Sequence, residues 1–256
     1  MRAPAAAPPR RRGNALFALL VLATLGVLVA LGSWQLERKA WKEDLIAQLD
    51  RKLVAPPTDL PPRERWPALT PAADEFRRVT FRAEFMAGEE ALVYSSGSSL
   101  RPDATGPGYW VFAPARLTGG GVVVVNRGFV PEGRQDPKTR TEGDPSGVVE
   151  VVGAMRWPEG RGLFTPQHQP AKGLWFARDP IGMAAAKNWG NVAPFYVDQE
   201  APPAPGGLPK VGPLKPTLPN NHFQYAVTWY GLALVMLISA LAFWRSRRRA
   251  EAGTSN

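Results

Sequence analysis

Two uncharged apolar runs stand near the ends of this 256-residue chain, and the stretch between them changes to a shorter hydrophobic rhythm. The first run covers residues 15–31 and continues through Gly32, Ser33 and Trp34; the second covers residues 225–244. At about 1.5 Å per residue, each makes a helix close to the roughly 30 Å hydrocarbon thickness of a bilayer. The pattern therefore predicts transmembrane helices at 14–34 and 221–244. A cleaved signal peptide is the alternative for the first run. That run exceeds the ~7–15-residue apolar core of such peptides, however, and no clean small-x-small cleavage site follows it. Past Trp34, Leu36, Ala40, Ile46 and Leu49 keep a helical spacing, so residues 35–74 read as an outward helical extension stopped at Pro56-Pro57, followed by an extended proline-rich linker.

From residue 75 the period becomes two. Val79, Phe81, Ala83 and Phe85 alternate with Thr80, Arg82 and Glu84, which predicts a strand. Further strands are expected at 91–95, 109–117, 122–130, 148–157, 174–178 and 193–197. Thr118-Gly-Gly-Gly121 joins the third and fourth of these seven strands as a hairpin, because its glycines accept the positive φ of a tight turn. Asp179-Pro180 reads as an N-cap and first helical position, with Gly190 ending the short helix that starts there. The fold class that follows is membrane α+β, with two terminal helices flanking an antiparallel β-rich domain at 75–200, either barrel or sandwich. Residues 201–220, rich in proline, predict a stiff extended spacer back to the second helix.

Charge and cysteine usage narrow the function. The net charge of +9 would suggest nucleic acid, but four arginines lie in the 1–13 tail, and four arginines against one glutamate lie in the 245–256 tail. Removing these +4 and +3 leaves +2 for the middle, so no nucleic-acid partner is expected. The pattern instead gives positive-inside anchoring, with both termini cytoplasmic and the central domain outside. With no cysteine, disulfides, thiolate nucleophiles and cysteine-ligated metals are excluded. Neither run contains an ionisable residue, which argues against proton or ion conduction. The chain carries no nucleotide cradle, serine elbow or His-Glu-x-x-His helix, and it is read as a non-enzyme.

Of the two histidines, His222 sits where the second helix begins, and a neutral imidazole there is a candidate ligand for a metal or a haem iron. On a helix, His222, Ala226, Trp229 and Ala233 share a face, which suits a planar ring stacked on Trp229 or close packing against the first helix. Tyr225, one turn on, is an interfacial belt residue or a hydrogen-bond partner. Arg38, four residues past Trp34, and Arg127, after an all-valine strand, are candidate anion partners. For each there is a plainer alternative, interfacial snorkelling for Arg38 and a structural hydrogen bond to a loop for Arg127. His168, between prolines, reads as a turn residue.

Three blocks, Gly32-Ser-Trp-Gln-Leu-Glu-Arg-Lys-Ala-Trp-Lys42, Val122-Val-Val-Val-Asn-Arg-Gly-Phe-Val-Pro131 and Asn220-Asn-His-Phe-Gln-Tyr-Ala-Val-Thr-Trp229, resemble in order and topology the surfeit-locus-1 family of cytochrome oxidase assembly proteins. The likeness covers nearly the whole chain. It implies a part in delivering haem a to catalytic subunit I of a haem-copper cytochrome c oxidase, with haem a synthase as a further partner. It also implies His222 as the iron contact, beside which Trp229, Tyr225, Arg38 and Arg127 stand as the candidates read from the residues themselves. The haem-independent alternative is a membrane scaffold that stabilises nascent subunit I. The segment Phe164-Thr-Pro-Gln-His-Gln-Pro170 departs from the family, where an asparagine is expected after Thr-Pro. The short arginine-proline N-terminus points to a bacterial inner membrane, with the domain periplasmic.

Overall fold

The computed structural model describes residues 11–253, so the two basic tails lie partly outside the described residues. The chain divides into two compact units. Residues 48–218 form one, and the residues up to 47 together with those from 219 onward form the other. The second unit holds α4 (His222–Gly253) and, up to residue 47, α1 (Arg11–Val54), both long and apolar enough to cross a membrane. α1 stops two residues before Pro56, as the ring of a proline and its missing N–H require.

In the larger unit the alternating segments form β1 (Thr58–Asp59), β2 (Arg78–Phe85), β3 (Ala91–Gly97), β4 (Thr105–Leu117), β5 (Val122–Pro131), β6 (Val148–Arg156), β7 (Leu174–Trp175) and β8 (Val192–Ala201), with short helices α2 (Pro71–Asp74) and α3 (Pro180–Lys187). Neighbours run β2, β6, β8, β5 and β4. The ring closes where Ala83, Glu84 and Phe85 of β2 meet Leu117, Arg116 and Ala115 of β4, giving a five-stranded barrel. The hairpin forms as the glycines require: β4 and β5 pair from Arg116↔Val122 outward, with Gly120 and Gly121 at φ 92° and 93°. The N-terminal part of β4 stays paired with β5 and on its other side, beyond β2, pairs with β3, which in turn carries β7.

The expectation of a purely antiparallel sheet is corrected. β5 and β8 run parallel, with Val124↔Tyr196 and Asn126↔Asp198, and β1–β2 and β3–β7 are short parallel pairs. The connection from β5 to β8 passes through β6 and α3, long enough to bring the chain back in the same direction. This arrangement buries both faces of the all-valine strand. Val123 and Val125 point into the barrel with Phe81, Met155 and Phe195, while Val124 points out into a second core with Phe112, Trp175, Met183 and Tyr196.

Three local expectations shift. The strand expected at 174–178 ends at Trp175, because the next amide, Phe176 N, donates to His168 Nδ1 at 3.2 Å instead of to a ladder. α3 starts as read, with Asp179 Oδ1 accepting from Gly182 N at 2.9 Å, but it ends at Asn188 in the left-handed region, φ 57°, before Gly190 is reached. The proline-rich stretches are packed rather than free. Before β2, Trp66 is 5 % exposed, donates to Pro61 O at 2.8 Å and stands edge-on to Phe195 inside the barrel. After β8, Lys210 pairs with Phe129, Leu214 is buried, and Lys215 N and Thr217 N donate to Leu100 O and Ser99 O. Prolines lack donors but keep carbonyls and apolar rings, so such segments can lie along a domain where the edges of neighbouring loops are open.

Candidate functional site

α1 and α4 pack antiparallel along a seam with a seven-residue rhythm. On α4 the less exposed positions are His222, Ala226, Trp229, Ala233, Met236 and Ala240. On α1 they include Ala18, Val21, Leu25, Leu28, Gly32 and Gln35. Small residues at such a seam let two backbones approach closely. Ala226 is 1 % exposed and Ala233 8 %, and a Cβ on Gly32 would stand 2.8 Å from the Tyr230 ring. Of the two arrangements open for this face, the structure holds the close-packed one, with Ala226 and Ala233 buried in the seam.

The polar end of the seam is where His222 lies. His222 Nδ1 is 2.8 Å from Gln35 Oε1. A carbamoyl oxygen can only accept, so the neutral tautomer that makes this hydrogen bond carries its proton on Nδ1 and its lone pair on Nε2. Nε2 makes no hydrogen bond among the described residues. The residues around this pair are tied in the same way. Lys42 Nζ donates to Pro219 O, Asn220 Nδ2 to Lys39 O at 3.5 Å, and Ser33 Oγ and Tyr230 Oη lie 3.0 Å apart. Four contacts thus fix the residues around His222 onto the upper part of α1. Gln35 escapes the sequence reading as a partner; its signal is an uncharged amide one residue past the apolar run, at a position that repeats the seam rhythm of Gly32 and Leu28.

The other expected residues separate into two groups. Trp229 is half-buried in the seam, Tyr225 is exposed on α4, and Arg38 is exposed on α1 with its guanidinium carbon 4.0 Å from the Trp41 ring centre. Arg127 belongs to the barrel unit. It is 7 % exposed, donates through Nη2 to Gly143 O, lies 3.5 Å from Asp144 Oδ1 and sits over the Phe85 ring. Burial pushes its guanidinium below the ordinary arginine value, with Asp144 opposing that shift. The side chain is engaged by its own loop. Beside it, Asn126 Nδ2 donates to Asp198 Oδ1 at 2.6 Å and Asn126 Oδ1 accepts from Gly128 N, while Asp198 Oδ2 lies 3.2 Å from Arg156 Nη1. Within the block, Asn126 ties β5 to β8, Arg127 ties it to the loop at Gly143 and Asp144, and Gly128 N returns to Asn126.

No group of three or more histidine, cysteine or carboxylate side chains converges among the described residues. A donor set of one imidazole does not build a cage for a bare ion, but it suits a metal that arrives with four equatorial ligands of its own, as a porphyrin iron does.

A five-stranded barrel carried in sequence between two long apolar helices, with an oriented imidazole at the start of the second, defines a class of helix-bracketed barrel proteins. Residues 22–234 match the model of the SURF1 family. The chain is 35 % identical over 214 residues to Surfeit locus protein 1 of Rattus norvegicus, covering 79 % of this chain and 67 % of that one. It is 34 % identical over 216 residues to Surfeit locus protein 1 of Homo sapiens, covering 79 % and 69 %. A SURF1-like protein of Monosiga brevicollis is 35 % identical over 258 residues, covering 95 % and 91 %. The chain belongs to the SURF1 family.

Proposed function

We propose that this chain is a membrane-anchored, non-enzymatic assembly factor for a haem-copper cytochrome c oxidase, and that it holds haem a for catalytic subunit I by a bond from His222 Nε2 to the iron. Membership of the family supports the oxidase-assembly role. The observation that carries the haem reading is the His222–Gln35 hydrogen bond. Histidines that ligate metals commonly donate their other ring N–H to an oxygen acceptor, which fixes tautomer and orientation and raises the basicity of the ligating nitrogen. From His222 to Trp244 the helix rises about 33 Å at about 1.5 Å per residue, so an imidazole at its start stands at the headgroup boundary if Trp244 and the following arginines mark the opposite face. The arginines at 245, 247, 248 and 249 favour a cytoplasmic C-terminus, a periplasmic barrel and a bacterial inner-membrane location. One protein ligand and few other contacts suit a carrier that must release its cargo to subunit I, with haem a synthase as the donor. Arg38 and Tyr225, both exposed in the same unit as His222, are the remaining groups that could meet propionates or the ring edge.

A haem-independent scaffold is the second reading, and a specific observation favours it: the alanine face of α4 and the guanidinium of Arg127 are both occupied by the protein itself. The two readings differ in a spectrum. Protein purified in detergent from cells that synthesise haem a should show a Soret band, and His222→Ala should lose it. An absent band in the wild type, or a band unchanged in the variant, leaves the scaffold.

A further inference from the structure

Leu163 and Phe164 are 99 % and 98 % exposed, at the tip of the loop between β6 and β7. They occupy the two central positions of a turn closed by Thr165 N donating to Gly162 O at 3.0 Å and by Gly162 N donating to Thr165 Oγ1 at 3.1 Å. Arg161 Nη2 reaches Thr165 O at 3.4 Å across the same turn. The local backbone is thus self-satisfied, and the two apolar side chains are held outward by it. Central turn positions ordinarily take glycine, asparagine, aspartate or proline, and nothing in this turn requires a leucine beside a phenylalanine. Single exposed apolar residues are ordinary, but an adjacent pair at almost complete exposure is a surface that something else covers.

We infer that this tip dips into the lipid headgroup region, with Leu163 and Phe164 entering the acyl boundary and Arg161 meeting lipid phosphate. The inference rests on the reading that α1 and α4 span a membrane. The tip is flanked by Gly160, Gly162, Thr165 and Pro166, which offer too little surface for a protein interface of about 800 Å² per partner. Two apolar side chains beside a guanidinium are nevertheless sufficient for the shallow burial of about 5–10 Å seen in interfacial segments. A domain tethered to the bilayer at both ends meets lipid at high effective concentration, so weak insertion is enough to hold it.

The chain has no cysteine, so Leu163→Cys gives a single labelling site on the full-length protein. An environment-sensitive nitrobenzoxadiazole label there is read in vesicles of phosphatidylethanolamine and phosphatidylglycerol, with and without doxyl-labelled lipid. Glu132→Cys on an exposed turn and Leu234→Cys within α4 serve as the two references. Insertion gives blue-shifted emission at position 163 and doxyl quenching several-fold above that at 132. Water-like emission at 163 with strong quenching at 234 overturns the inference while leaving the spans intact. Equal quenching at 132 and 163, or shielding from iodide without doxyl quenching, also overturns it, the latter by pointing to a protein partner. Absence of quenching at 234 instead removes the membrane reading on which the inference rests.

Discussion

Gln35 Oε1 and His222 Nδ1 lie 2.8 Å apart in a hydrogen bond that joins two helices through residues 187 positions apart in sequence. If this bond sets the tautomer for iron ligation, Gln35→Leu should lower haem affinity about 10- to 100-fold while His222 is still present. Gln35→Glu, which keeps an acceptor, should restore most of it. Soret titration of both variants beside the wild type measures the effect. Equal affinity in all three would show that the bond merely joins the helices.

Gly128 has φ 118°, and a Cβ there would collide with the backbone carbonyl of Lys210. Gly128→Ala combines backbone strain of about 1–3 kcal/mol with overpacking of about 1–3 kcal/mol, for a loss of about 2–6 kcal/mol. The denaturant midpoint of the barrel should fall accordingly, with helix content from α1 and α4 retained. Gly133→Ala, also at positive φ but with open space around its Cβ, should cost only the strain.

Arg101 donates twice to Asp103, at 2.8 Å each, and once to Gly212 O at 3.0 Å, fastening the segment after β8 to the barrel. The hydrogen bond from Arg101, helped by its charge and that of Lys210 against a burial penalty, holds the Asp103 carboxyl down at about 2 from 3.8. A carboxylate whose folded value is depressed stabilises the fold above its unfolded value and loses that contribution as pH falls from about 4 through about 2. Its side chain is 39 % exposed, so solvent screening keeps the contribution under about 1 kcal/mol. Unfolding midpoints of the wild type and Asp103→Asn should therefore differ at pH 6, draw together as pH falls from about 4, and converge below about 2. A gap that persists at low pH would exclude the ion pair as its source.

Asn188 closes α3 at φ 57°. Left-handed backbone costs most L-residues roughly 1–2 kcal/mol, less for asparagine and nothing for glycine. Asn188→Ala should destabilise the domain by about 1 kcal/mol, and Asn188→Gly should be neutral or slightly stabilising by thermal unfolding. A stable alanine variant would mean that the helix end has moved on to Gly190.

Much of the architecture is legible without coordinates. Local period alone locates β2 and the β4–β5 hairpin, since alternation and a glycine turn are properties of a few adjacent residues. The Asp179-Pro180 start of α3 is equally local, because a cap needs only its own first turn. The two apolar helices follow from length and the absence of charge. His222 is legible as a candidate for the same reason of placement, at the edge of an uncharged run in a chain with two histidines.

What the sequence leaves open depends on contacts between distant residues. The parallel meeting of β5 with β8, and with it the closure of the barrel, is decided by pairing across Val124↔Tyr196, which no local pattern encodes. The segment at Trp66 and the one at Leu214 read as linkers because prolines dominate them, yet the barrel offers each an apolar seat and open backbone partners. Arg127 reads as an anion ligand or, as is commoner for an arginine ending a strand, as a loop donor, and only the tertiary structure places Gly143 and Asp144 beside it. Which nitrogen of His222 meets the protein is decided by Gln35, and Ala226 and Ala233 of α4 are buried in the seam. Sequence settles what depends on neighbours in the chain. Tertiary structure settles which polar groups satisfy one another, because each hydrogen bond requires a partner the chain brings back from far away.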